Sequence, residues 1–136
     1  MSAVRILLVE DSTEDVLFFK RAAAKAGLRC SLEVVENGQL AIDRLSADAA
    51  PKPTHVLLDL KMPLVSGLDV LAWIRSHPDV ATLPVIILTS SQLASDSSRA
   101  NELGVDAFLV KPVSSKALLE IVREIAGRWN IPVEIA

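Results

Sequence analysis

The stretch His55-Val56-Leu57-Leu58-Asp59-Leu60-Lys61-Met62-Pro63 decides the fold. Residues 56–58 form an unbroken apolar run that ends on a carboxylate. Such a run reads as a strand buried on both faces, as in a parallel sheet covered by helices. Asp59 then stands at or just past the carboxyl end of that strand, the edge where open α/β sheets bind ligands. Taken alone, Asp59 reads equally well as a turn residue, because Asp opens turns and Pro63 follows.

The flanking sequence repeats the pattern. Residues 4–9 (VRILLV) are a second apolar strand, ending in Glu10-Asp11. Ser12 and Thr13 can cap the next helix, with Asp15 in a capping-box position. Phe18, Phe19, Ala22, Ala23 and Ala26 give that helix its apolar stripe, and Gly27 ends it. Residues 32–35 are a short strand, turned by Glu36-Asn37-Gly38 into a helix carrying Leu40, Ala41 and Leu45 that breaks before Pro51 and Pro53. Beyond Asp59, Leu68, Val70, Leu71 and Ile74 mark a third helix, closed near His77-Pro78. Residues 83–88 are a buried strand running into Thr89-Ser90-Ser91. Residues 92–103 form a weak helix, crowded by Ser95, Ser97 and Ser98 and stopped by Gly104. Residues 107–110 are a fifth strand ending in Lys111-Pro112. Ser114 caps a last helix with the stripe Leu118, Ile121, Val122, Ile125 and Trp129. Five strands alternating with five helices predict an α/β fold, a doubly wound parallel sheet with right-handed crossovers and strand order 2-1-3-4-5.

Composition agrees with one domain over residues 1–136, ending in a short tail at 130–136. At 136 residues, 51% hydrophobic and 23% charged, the chain can bury a proper core. A net charge of -3 with no basic run argues against nucleic acid. Cys30 is the only cysteine, which excludes an internal disulfide and a cysteine-based zinc site. No apolar run is long enough to cross a membrane, and residues 1–10 lack a signal-peptide pattern, so a cytoplasmic location is expected. His55 and His77 are expected at the surface, Trp73 and Trp129 in packing, and Cys30 as a small surface or strand-start residue.

Glu10 and Asp11, Asp59, Thr89 and Lys111 fall at the carboxyl ends of strands 1, 3, 4 and 5, which are consecutive in the predicted order. Three carboxylates brought together repel and raise one another's pKa, so a cation is needed. All-oxygen ligation with few protein ligands suits Mg2+. A carboxylate can attack phosphorus to give an aspartyl phosphate, and a metal, a lysine and a hydroxyl can supply positioning and charge neutralisation.

LLVEDS with Glu10-Asp11, LLDLKMP with Asp59 and Gly67 downstream, VIILTSS with Thr89, and FLVKP with Lys111-Pro112 together resemble the receiver domains of two-component response regulators, a CheY-like, flavodoxin-like (βα)5 family. The resemblance implies that Asp59 takes a phosphoryl group from a phosphohistidine on a sensor histidine kinase. It implies that Asp11, Asp59 and the backbone carbonyl of Lys61 bind Mg2+, with Glu10 acting mainly through water. Thr89 and Lys111 would each engage a phosphoryl oxygen, and Phe108 falls at the family's switch aromatic. Lys61 and Ser91 fall where the family tunes phosphoryl lifetime, and the Lys111–Pro112 peptide is commonly cis in the family. Glu10 replaces the commoner Asp, and Phe108 lacks the hydroxyl of the frequent Tyr.

The implied activity is signalling, not enzymatic turnover beyond self-phosphorylation and autodephosphorylation of Asp59. With about eight residues after the last helix, no output domain is expected, and the signal must pass by docking to a downstream protein, by homodimer formation or by onward transfer to a histidine phosphotransfer protein. The Ala/Pro-rich loop before the third strand and the Trp…Pro tail resemble stand-alone receivers paired with bacteriophytochrome-type kinases. Ile131, Val133 and Ile135 are expected to cover the domain's own surface, with a dimer contact as the alternative. The weak fourth helix is expected to move with Thr89 and to re-pack Phe108. A haloacid-dehalogenase-type phosphatase would place its nucleophile on the first strand, where this chain has VEDST, and a flavin carrier would not place an acidic pair against a phosphate.

Overall fold

The computed structural model describes residues 3–134. The elements are β1 (Arg5–Val9), α1 (Thr13–Ala26), β2 (Ser31–Val35), α2 (Gly38–Ser46), β3 (His55–Leu58), α3 (Gly67–Ser76), β4 (Val85–Thr89), α4 (Ala94–Glu102), β5 (Ala107–Val110) and α5 (Ser115–Trp129). All strand pairs are parallel, in the order β2-β1-β3-β4-β5. The predicted topology is the observed one. β4 starts two residues later than the apolar run suggests, because Pro84 has no N–H to give to a central ladder.

Strand alternation sends the core to both faces. Ile6, Leu8, Leu57, Ile86, Leu88 and Ala107 pack under α1 and α5 through Phe19, Ala22, Ala23, Val122, Ile125, Ala126 and Trp129. Leu7, Val9, Val56, Leu58, Val85 and Ile87 pack under α2, α3 and α4 through Ala41, Val70, Leu71, Ile74 and Ala100. Ser12, Asn37, Ser66 and Ser114 each accept a backbone N–H at a helix N-terminus. α4 begins on Leu93, which has no side chain that can do so.

Several side chains depart from the sequence reading. Phe18 is 44% exposed, because helical spacing gives the buried stripe to Phe19, Ala22 and Ala23 and rotates Phe18 toward the rim. His55 is half-buried, its ring 4.6 Å from that of Trp129 with Thr54 Oγ1 2.7 Å from Nδ1, whereas His77 is exposed as expected. Cys30 is half-buried against the α1/α5 core. The tail turns back on the domain: Ile131 is buried, and Val133 forms an antiparallel bridge with Leu28, while Ile135 lies outside the described residues. The Lys111–Pro112 peptide is trans, the isomer that an X–Pro bond favours by default; among the described residues only Ala50–Pro51 is cis. No helix among the described residues is long and apolar enough to cross a membrane.

Candidate functional site

Parallel pairing brings the ends of β1 and β3 side by side, with Val9 opposite Leu58, so the residues that follow each strand meet. Glu10 and Asp59 are buried there, and Asp11 is exposed beside them. One carboxylate oxygen from each of Glu10, Asp11 and Asp59 lies within 4.8 Å of the others. Main-chain bonds fix the edge: the Asp59 N–H donates to Val9 O at 3.1 Å, and the Glu10 N–H donates to Val35 O at 3.0 Å. Asp59 Oδ1 accepts the Leu60 N–H at 2.7 Å, leaving Oδ2 turned toward the cleft. α3 approaches so closely that a Cβ at Gly67 would collide with the Asp59 carbonyl oxygen, which gives that glycine its steric reason.

Lys111 crosses from the end of β5 to close the cluster. Its Nζ donates to Glu10 Oε1 at 2.6 Å, to Asp15 Oδ2 at 2.7 Å and to Asp59 Oδ2 at 3.1 Å. Burial alone would lower the Lys111 pKa, but hydrogen bonds to Asp15 and Glu10 and the charges of Asp59 and Glu10 outweigh it and hold the ammonium above its ordinary value. Burial pushes the Glu10 carboxyl up to about 7; the Lys111 hydrogen bond opposes this, and the Asp59 charge adds to it. One ammonium faces four carboxylates here, so the donor set is short of positive charge. Hard oxygen donors in negative surplus fit a divalent cation.

The other candidates lie nearby without joining the cluster. Thr89 is fully buried at the end of β4, its Oγ1 accepting the Ser91 N–H at 3.3 Å. Ser91 is buried, and its hydroxyl donates to Asp96 in the first turn of α4. Lys61 is exposed, with its N–H 3.4 Å from Asp59 Oδ1. Phe108 is half-buried against the core under α3 and α4. Sequence reasoning gave Asp15 only a capping role. Its N–H is indeed taken by Ser12 Oγ at 3.1 Å, but its carboxylate leaves the helix end for Lys111. No short-range pattern could have announced a partner 96 residues away.

The profile of the response regulator receiver domain matches residues 6–123. The chain belongs to this family. The response regulator Rcp1 of Synechocystis is 33% identical over 128 residues, covering 91% of this chain and 87% of Rcp1. Its Mn2+-bound form superposes with a TM-score of 0.85 at 30% identity, over 97% of this chain and 99% of that one. The bacteriophytochrome response regulator RtBRR superposes at 0.80 with 38% identity, over 99% and 82% of the two chains. The probable methanogenesis regulatory protein FilR2 of Methanothrix harundinacea is 35% identical over 127 residues, covering 91% of this chain and 82% of FilR2. This receiver is thus a two-component response regulator, similar to Rcp1 and to the bacteriophytochrome response regulator RtBRR.

Proposed function

We propose that Asp59 is the phosphoacceptor of this receiver and that its donor is a cytoplasmic sensor histidine kinase of the phytochrome type. The observation that carries the reading is the Lys111 ammonium seated between Asp59 and Glu10 at the carboxyl edge of the sheet, with Asp11 alongside. Asp59 Oδ2 would attack the phosphorus of a phosphohistidine; the P–N bond breaks, its electron pair leaves on the histidine nitrogen, and an acyl phosphate remains. Lys111 pairs with a phosphoryl oxygen as charge moves onto Asp59. Asp11, Asp59 and the backbone carbonyl of Lys61 would hold Mg2+, with Glu10 reaching it through water, and the cation supplies neutralisation of the phosphoryl oxygens.

The output would start at Thr89. Its hydroxyl accepts the Ser91 N–H and keeps its own proton for a phosphoryl oxygen, so a shift of Thr89 toward the phosphoryl group would pull on Ser91, the residue that ties the β4–α4 loop to Asp96. α4 and the neighbouring Phe108 would follow, and a partner protein would read the changed surface. The likeness to RtBRR, a bacteriophytochrome response regulator, supports the phytochrome-type donor.

Beryllofluoride with Mg2+, followed by NMR or tryptophan fluorescence, tests the acceptor. We expect a response in the wild type and none in Asp59→Asn; a silent wild type or an unaltered variant overturns the reading. Unchanged amide exchange across residues 92–110 on adding the analogue would overturn the α4 output. Failure of every phytochrome-type kinase of the same organism to phosphorylate the protein would overturn the donor.

A further inference from the structure

Arg75 lies in the last turn of α3, half-buried, and all its hydrogen bonds go to main-chain carbonyls of other segments. Nε donates to Leu103 O at 2.8 Å and Nη2 to Gly104 O at 2.9 Å, both at the C-terminal end of α4. Nη1 donates to Ala81 O at 3.1 Å and Leu83 O at 2.8 Å, on the segment that enters β4. The guanidinium thus fills acceptors that a helix end leaves open and sets a cation at the negative pole of the α4 dipole. Ala100 is fully buried nearby, and Leu103 and Val105 pack against the same core. Pulling this end away would strand a charged donor and several carbonyls together. The N-terminal end has no such hold among the described residues. Leu93 is 62% exposed and gives no side-chain cap, and residues 92–95 are all exposed. Asp96 is tied to Ser91, which belongs to the β4–α4 loop and travels with it.

We propose that α4 answers phosphorylation by swinging about its C-terminal end, with Arg75 as the pivot. The inference rests on the reading of Asp59 as phosphoacceptor and of α4 as the output element. It makes the movement a rotation in which the four Arg75 bonds persist, and it confines the changed surface to the N-terminal half of α4, around Leu93 and Ser97. At a rise of about 1.5 Å per residue, Ala94 stands about 14 Å from Leu103 and Glu102 about 1.5 Å, so a swing moves Ala94 about ninefold farther than Glu102.

The test compares crystal structures of the free protein and its beryllofluoride–Mg2+ complex, superposed on the sheet, with residual dipolar couplings of the α4 amides in solution. Displacement should rise steadily from Glu102 to Ala94, the couplings should report a turned helix axis, and Arg75 should keep Leu103 and Gly104. Arg75→Met removes the pivot and should let residues 101–104 move as well, so the gradient flattens. Arg99→Ala takes a cation from the same helix end without touching those carbonyls, and should leave the gradient as in wild type. If Arg75→Met does not fold, the wild-type gradient decides alone. An even translation of α4 with an unturned axis, broken Arg75 bonds in the complex, or an unaltered gradient in Arg75→Met overturns the inference and leaves the α4 output standing. A complex in which α4 does not move overturns that output too, and a wild type that does not bind beryllofluoride overturns the acceptor reading, each taking the inference with it.

Discussion

The helix α4 and the pair α1 and α5 on the other face of the sheet are anchored very differently. α5 buries Val122, Ile125, Ala126 and Trp129, is capped by Ser114, and lies against α1, which buries Phe19, Ala22 and Ala23 behind its own Ser12 cap. α4, on the opposite face, buries Ala100 alone and starts without a side-chain cap. Its other end is pinned: the half-buried Arg75 of α3 donates to the carbonyls of Leu103 and Gly104, and to those of Ala81 and Leu83 before β4. α4 is therefore a helix fastened at its C-terminus and loose at its N-terminus, and the loose end carries Asp96, the partner of Ser91. A receiver needs both conditions. The groups that hold charge must not shift, and the element that reports on them must be cheap to displace.

The largest effect is expected on the firmly packed face. Ile125→Ala deletes a fully buried side chain and should cost about 2–5 kcal/mol of global stability, read as a lower urea midpoint at unchanged slope. A loss below about 1 kcal/mol would mean that the α1/α5 face is less rigid than its burial implies. Next comes α4, where the difference can be narrowed on purpose. Leu93 is 62% exposed at the N-cap, and Leu93→Ser should supply the missing cap, worth about 1 kcal/mol. Slower amide exchange confined to residues 94–102 would confirm it, together with a smaller change in that segment on adding beryllofluoride. The smallest effect is a pH dependence. Burial holds the His55 imidazole below its ordinary value of 6.5, with Asp106 opposing. Below pH 6.5 the unfolded chain takes up this proton more readily than the folded one, so stability is complete above 6.5 and is lost as pH falls through the folded value. Because the ring is only half-buried, the loss should be small, and His55→Gln should remove it from the thermal midpoint measured between about pH 7 and pH 5.

The comparison also shows what kind of information each part of the chain carries. The topology was legible because four apolar runs and one short mixed strand, each followed by a helical stripe or a cap, leave few arrangements open. Glu10, Asp11, Asp59 and Lys111 were legible because a parallel sheet collects the residues that follow its strands at one edge. Thr89 was legible as a strand end but not as a hydroxyl already bonded to the Ser91 N–H. The exposure of Phe18 depended on a rotation of one residue around α1, finer than a periodicity with two adjacent phenylalanines can resolve. Arg75 gave no signal at all, since its partners are main-chain carbonyls, which every residue possesses.

The sequence by itself determined the parallel sheet, its strand order, the acidic edge and the weakness of α4, because these depend on local periodicity, on residue type at strand ends and on the small number of ways to connect βα units. Only the tertiary structure decided that Lys111 is saturated by three carboxylates, that the most exposed of them is Asp15 on α1, and that α4 is tethered at one end by Arg75. Those are contacts between segments from 28 to 101 residues apart. No local pattern encodes them, because a long side chain finds its partner only after the sheet has set the distance.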